Sequence, residues 1–207
     1  TEAESHQVIA ESLRELFPEE GGSLYLAPRE QHTQLERIAT WGSGLGDQDR
    51  ATLDDCWSLR RGKAHLLLPQ RSGQPCRHLG PTPDTGSMCL PMIAHGEVLG
   101  LLSLRFGAEL EQLSGEELQT RVEERRRLAT TVADHLALAL ANLRLRESLH
   151  ELSVRDPLTG LYNRRFMEDC LRRGAWRADR HGHFLGMVMM DVDHFKRLND
   201  EHGHETG

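Results

Sequence analysis

From Gly115 to Val154 the apolar residues recur at helical spacing, and this long segment constrains the rest of the chain more than any other. Val122, Ala129, Val132, Leu136, Leu140 and Leu143 lie on one stripe of such a helix. Leu138, Leu145, Leu149 and Leu152 mark a second stripe that carries on past the first. The change of stripe predicts a helix that packs on its own domain early and on a partner chain later. Unbroken, it spans roughly 60 Å at 1.5 Å per residue. The alternative is two shorter helices with a break near Asn142.

The parts on either side differ in charge. Residues 1–143 carry 14 Lys and Arg against 21 Asp and Glu, whereas residues 144–207 carry 11 of each. An acidic first part disfavours nonspecific binding to nucleic acid or to anionic membranes. Hydrophobic residues at 38% and charged residues at 28% fit a folded chain, not a disordered one. No apolar run approaches the ~20 residues that span a bilayer, and the opening residues do not read as a signal peptide. Cys56, Cys76, Cys89 and Cys170 follow no disulfide framework, which points to a reducing compartment, the cytoplasm.

Before the long helix, His6 to Phe17 has helical spacing, closed by Pro18 and Gly21-Gly22. Residues 23–27 and 34–41 read as neighbouring strands. Residues 42–88 are polar and rich in Gly and Pro, with one helix expected near Ala51 to Arg60; such a segment often walls a binding site. Residues 88–94 and 98–105 form an antiparallel hairpin about the turn His95-Gly96-Glu97. This order of elements resembles a GAF domain over roughly residues 5–143, best in the piece from Cys89 to Leu102. The resemblance implies an α+β fold, with a central antiparallel sheet flanked by helices and a cavity on one face for a small ligand that the sequence does not identify. It also implies a homodimer through helix 115–154, with residues 144–155 as a helical coiled-coil linker to an output domain.

After the helix, the apolar run from Phe184 to Met190 ends in Asp191 and Asp193, an arrangement suited to a buried strand that delivers a carboxylate to a metal–phosphate site. The run continues Asp191-Val192-Asp193-His194-Phe195-Lys196, then Asn199-Asp200 and Gly203-His204. With Asp156-Pro157-Leu158-Thr159 upstream, it resembles the first half of the GGDEF domain of diguanylate cyclases, an α/β nucleotidyl-cyclase-like fold, over residues 156–207. Pro157 disfavours helical geometry at Asp156, so the long helix is expected to stop or bend there. Asp156 can then accept hydrogen bonds across the turn, with Arg164 or Arg165 as charged partner.

The resemblance assigns Asp191 to Mg²⁺ as the catalytic carboxylate, with the backbone carbonyl of Val192 beside it. Mg²⁺ takes hard oxygen ligands and bridges phosphates. The resemblance also places the backbone of His194, Phe195 and Lys196 against the phosphates of GTP, as N–H groups at a helix start favour anions, and gives Asn199 the guanine edge. The plainer alternative makes Asp191 a helix N-cap and Asn199 solvated surface. The 207 residues stop before the Gly-Gly-Asp/Glu-Glu-Phe loop, the second metal carboxylate and a guanine-reading Asp. A strand at 184–192 is thus expected to lack its sheet neighbours, leaving residues 182–207 poorly ordered or held by a neighbouring molecule.

Within the GAF-like part, Cys56, His65, Cys76 and His78 form a candidate sensor site, since two Cys and two His suit tetrahedral Zn²⁺. Their spacing differs from that of a standard finger. The alternatives are redox or haem-linked sensing, a bilin attached through Cys56, or a buried thiol with surface imidazoles around a small-ligand pocket.

The two resemblances together imply a GAF-regulated diguanylate cyclase that makes cyclic di-GMP from two GTP. The alternative is a non-catalytic sensor whose degenerate, GTP-binding GGDEF domain regulates another output. The 207-residue chain itself is expected to be inactive. Incubated with GTP and Mg²⁺, it should yield no more cyclic di-GMP by chromatography than its Asp191→Ala variant.

Overall fold

The computed structural model describes residues 2–28, 34–42, 46–68, 73–80, 86–191, 193, 194 and 196. Its backbone divides into two units, Thr1–Glu147 and Ser148–Gly207.

In the first unit, His95 and Gly96 reverse the chain with φ of 53° and 82°. Both central residues of a tight hairpin turn need positive φ to match the twist of the strands. The turn joins β5 (Ser87–Ala94) to β6 (Glu97–Arg105), pairing Ala94 with Glu97 and Ser87 with Arg105. β1 (Gly21–Leu26) pairs with the other edge of β6, β2 (Gln34–Trp41) with β1, and two short strands, β3 (Arg50–Thr52) and β4 (His65–Leu67), close the edges. The six-stranded order is β3-β2-β1-β6-β5-β4, and every pair is antiparallel.

Alternation then separates two cores. Leu24, Met88, Leu90, Met92, Leu102 and Leu104 face one side, where Leu13 of α1 (Glu2–Leu16), Phe17 just after it and the buried side of α3 (Gly115–Val154) cover them. Tyr25, Leu35, Ala51, Cys89 and Leu101 face the other, under Cys56, Leu59, Cys76 and Leu79. β2 contributes to both faces because a register shift opposite Leu24 and Tyr25 skips Ile38. One extra residue in a strand swaps the faces of all the residues after it.

α3 is continuous through Asn142. Its buried residues are Leu118, Val122, Ala129, Ala133 and Ala137, while Val132, Leu136 and Leu140 lie partly buried beside them and Leu143 is exposed. The contact line is therefore rotated from the expected stripe toward alanines, whose small side chains let the helix lie close on the sheet. Leu138, Leu145, Leu149 and Leu152, the second stripe, are exposed. About three turns in, α3 is tied to the residues before β1: Arg125 pairs with Glu19 and Glu20, the latter at 3.0 Å. Burial raises the Glu20 carboxyl above its ordinary range, partly offset by Arg125.

The helix expected over Ala51 to Arg60 is shorter than the sequence suggests. Ala51 belongs to β3, and α2 covers only Trp57–Arg61. The cause is local: the Asp55 carboxylate accepts the Thr52 backbone N–H at 3.0 Å and its hydroxyl at 2.6 Å, closing a turn where the helix would begin.

In the second unit α4 (Arg164–His181) starts at Asn163, whose side chain accepts the Phe166 N–H at 3.0 Å. The Asp156 carboxylate accepts the N–H groups of Leu158 and Thr159 and the Thr159 hydroxyl, which lowers its pKa. The charged partner expected for it is absent at Arg164, which pairs with Glu168 at 2.9 Å instead. Across this turn Arg155 bridges to Tyr162 and its guanidinium lies 5.0 Å from the Tyr162 ring.

The strand expected from Phe184 to Met190 is not formed. Residues 183–191 carry no regular structure, and Phe184, Val188, Met189 and Met190 are exposed. No strand among the described residues of this unit offers the backbone partners that a strand requires, and none of its described residues is buried. The rest of the expectation for 182–207 falls largely outside the described residues.

The first unit holds a buried ion pair on the second face of its sheet. Asp47 pairs with Arg105 and accepts the Ser23 hydroxyl at 2.9 Å. Removing the carboxylate leaves a buried guanidinium uncompensated. Asp47→Ala is expected to lower unfolding stability by about 3–5 kcal/mol in urea titration.

Candidate functional site

The second face of the sheet gathers the reactive side chains. Cys56 stands at the N-cap of α2 with extended backbone, φ −128° and ψ 120°. Cys76 and His78 come from the short segment 73–80, and Cys89 from β5, where strand alternation turns it away from Met88 and Leu90. One ligand atom from each of Cys56, Cys76, His78 and Cys89 lies within 4.8 Å of all the others, and all four residues are buried.

The framework that brings them together is polar. Tyr25 donates its hydroxyl to the Gln48 carbonyl at 3.0 Å, and the Gln48 N–H donates to the His78 carbonyl at 2.9 Å. The Gln48 side chain donates to the Arg77 carbonyl, and the Arg77 N–H to the Asp55 carbonyl. Gly80 can approach only without a side chain, because a Cβ there would sit 2.0 Å from the Gly46 carbonyl. His78 packs edge-on to Tyr25, with ring centroids 5.6 Å apart.

Within the cluster, His78 Nε2 lies 3.5 Å from Cys89 Sγ, and Nδ1 has no hydrogen-bond partner among the described residues. The three thiols are shifted in opposite directions. Hydrogen bonds from Cys56 and Cys89 hold the Cys76 thiol far below the ordinary thiol range. The contact with Cys76, with burial, pushes Cys56 up to about 12 against an opposing contact with Cys89, and contacts with Cys56 and Cys76, with burial, hold Cys89 well above its ordinary value. Three buried thiols and an imidazole at this spacing are donors of the type that soft and borderline metal ions take. Beside the cluster lies a cavity of about 550 Å³, lined by Asp54, Asp55, Trp57, Arg60, Pro75 and Arg77 among others. Its wall carries both signs of charge, and Arg60 and Arg61 lie over the Trp57 ring at 5.0 and 5.5 Å.

Of the four sensor residues expected from sequence, the structure groups Cys56, Cys76 and His78, and His78 is buried where a surface imidazole was the alternative. His65 is not in the group. It sits on β4 opposite Cys89, half-buried, with Nε2 unpartnered among the described residues. Cys89 takes the fourth place. The available signal was parity: in the pattern Met88-Cys89-Leu90 a thiol between two core residues must face the opposite side of the sheet.

In the second unit Asp191, His194 and Lys196 are exposed. His194 has φ 57°. Val192, Phe195 and Asn199 lie outside the described residues.

A single antiparallel sheet, with α1 and α3 on one face and an open cleft beside the other, defines an α+β domain. The family model described as GAF domain matches residues 4–140, and the one described as diguanylate cyclase, GGDEF domain, matches residues 153–207. The chain belongs to the GAF domain family, and a partial GGDEF domain follows. It is 30% identical over 180 residues to the diguanylate cyclase DgcP of Pseudomonas aeruginosa, covering 83% of this chain and 25% of that one. It is 37% identical over 79 residues to the probable diguanylate cyclase DgcC of Escherichia coli, covering 38% and 19%. The GAF domain of A. aeolicus nlh2 in an inactive state aligns with TM-score 0.49 at 15% identity, over 67% of this chain and 85% of that one. The chain spans about a quarter or less of the length of these curated relatives. No helix among the described residues is long and apolar enough to cross a membrane.

Burial predicts thiol behaviour directly. Only Cys170 is exposed, so native protein under reducing conditions should titrate about one thiol quickly with an aromatic disulfide, and four after denaturation. Rapid reaction of two or more in the native state would show that the cluster is open.

Proposed function

We propose that these residues are the sensory domain, signalling helix and first catalytic segment of a GAF-regulated diguanylate cyclase, a cytoplasmic protein that makes cyclic di-GMP from two GTP. The observation that carries this reading is order: a GAF match, then the unbroken helix α3, then a GGDEF match starting where α3 ends. The relatives named above as diguanylate cyclases share parts of the same chain.

Two GTP-loaded domains must face each other to join their nucleotides, so the output depends on how a dimer is held. The exposed leucines at 138, 145, 149 and 152 recur at three, four and seven residues and suit a seam between two copies of α3. A small ligand in the GAF cavity would act by altering how that helix is held.

For the chemistry, Asp191 and Asp193 offer hard, exposed carboxylate oxygens, a donor type that fits Mg²⁺. Asp191 and the Val192 carbonyl would hold the ion, which when bound neutralises phosphate charge. The backbone at His194, Phe195 and Lys196 would orient the triphosphate, Lys196 adding a point charge, and Asn199 would hold the guanine edge by donating and accepting at once.

The test uses these residues joined to a complete GGDEF domain, supplied with GTP and Mg²⁺. Cyclic di-GMP is expected, and Asp191→Ala should reduce its rate by about 100-fold or more, as loss of a metal ligand does. A folded dimer that binds GTP and makes no product would overturn the catalytic reading in favour of a receptor.

A further inference from the structure

The cysteine–histidine cluster is not used by the cyclase chemistry and needs its own account. We propose that Cys56, Cys76, His78 and Cys89 form a closed tetrahedral site for a thiophilic divalent cation, with Zn²⁺ the best match. The inference goes beyond the cyclase reading and stands or falls without it.

Donor chemistry selects the metal class. Three sulfurs and one imidazole nitrogen suit Zn²⁺ and related soft or borderline ions, while Mg²⁺ and Ca²⁺ require oxygen. Geometry agrees. A zinc ion with sulfurs at about 2.3 Å sets them about 3.8 Å apart. The four donor atoms already lie within 4.8 Å of one another, so closure needs side-chain movements of about 1 Å at most. The donors number four, which fills the tetrahedron and leaves no open position; such sites are structural or regulatory, not hydrolytic.

The surroundings also fit a bound ion better than a plain core. Four polarisable, protonatable groups meet in a place where apolar side chains would pack with less cost. The backbone of His78 is fixed through Gln48 and its ring against Tyr25, which presents Nε2 toward Cys89 at 3.5 Å. Outer contacts of this kind orient metal ligands.

The consequence is mechanical. The ligands come from three pieces of chain: the start of α2, the segment 73–80, and β5. Cys56 stands between Asp55 and Trp57, and Cys76 between Pro75 and Arg77, and all four neighbours line the cavity. An ion would therefore fasten the cavity wall to the sheet, and its loss would free that wall.

The test is metal stoichiometry and spectroscopy on the 207-residue chain. Purified under reduction without chelator, it should carry about one equivalent of zinc by elemental analysis. The chelated chain titrated with Co²⁺ should show a thiolate-to-cobalt charge-transfer band and the intense visible bands of tetrahedral coordination, both erased by Zn²⁺. Cys89→Ser and His78→Ala should weaken binding by about 100-fold or more while far-UV circular dichroism is kept, and His65→Ala should bind as the parent does. If a variant loses its fold, chelation of the parent should still lower its Tm reversibly on zinc return. No tetrahedral cobalt spectrum in the parent, unchanged binding in Cys89→Ser, or loss of binding in His65→Ala would each overturn the proposal. So would a cysteine pair that oxidises to a disulfide in a chain that takes up no metal when reduced.

Discussion

Leu90, Leu102 and Leu24 stand opposite one another across β5, β6 and β1, and the neighbouring row is Cys89, Ser103 and Ser23. Beyond them come Met88 and Leu104, then Ser87 and Arg105. Every property of the first unit depends on holding these rows in register. A slip of one residue would put the serines, the thiol and the arginine beneath α1 and α3, and the leucines against the polar network. The two positive-φ residues of the hairpin turn and the skipped residue in β2 are the local devices that prevent it.

The helix face depends on that register in a second way. With large aliphatic residues supplied by the strands, α3 can meet them with Ala129, Ala133 and Ala137 and lie close. Its larger residues, Val132, Leu136 and Leu140, then fall at the margins of the contact, and the leucines further round stay exposed. The paired acids Glu19 and Glu20 against Arg125 tie the first half of the helix to the residues before β1. Glu20 is the costly partner: burial raises its pKa, so its contribution opposes folding as pH rises above the ordinary glutamate range, and Arg125 limits that loss.

The sequence was most legible where one period dominates. The hairpin 87–105 and the long helix showed their ends through His95-Gly96 and through Pro157, and the structure keeps both. The helix stripe was misplaced because large residues draw attention in a periodicity reading, although close packing favours small ones. Residues 51–60 misled for a different reason: the Thr52–Asp55 turn is a side-chain competition for backbone donors that no periodicity reports. The Phe184–Met190 run has the composition of a buried strand, yet a strand exists only with partners, and composition is silent on those. In the cluster, three residues were legible from residue type, while Cys89 required the pleat of β5. Asp47 and Arg105 had no sequence signal, because they are 58 residues apart and meet only through the folded sheet.

The two faces of the sheet resist change by different means. On the helix side resistance scales with area: many aliphatic contacts, individually small, none of them decisive. On the other side α2 has five residues, too few to be stable by itself. It is held by Leu59 and Cys56 below it and by a chain of single hydrogen bonds running Tyr25–Gln48–His78 and Arg77–Asp55. Each such bond is worth about 1 kcal/mol net, yet a buried donor left without its acceptor costs more than that. The wall of the cavity is therefore all-or-none in its contacts, and an occupant that adds or removes one or two of them changes the wall far more than it changes the helix-covered core. Local rules are most strained on this face, with a buried ion pair, three buried thiols and an imidazole nitrogen that has no hydrogen-bond partner among the described residues.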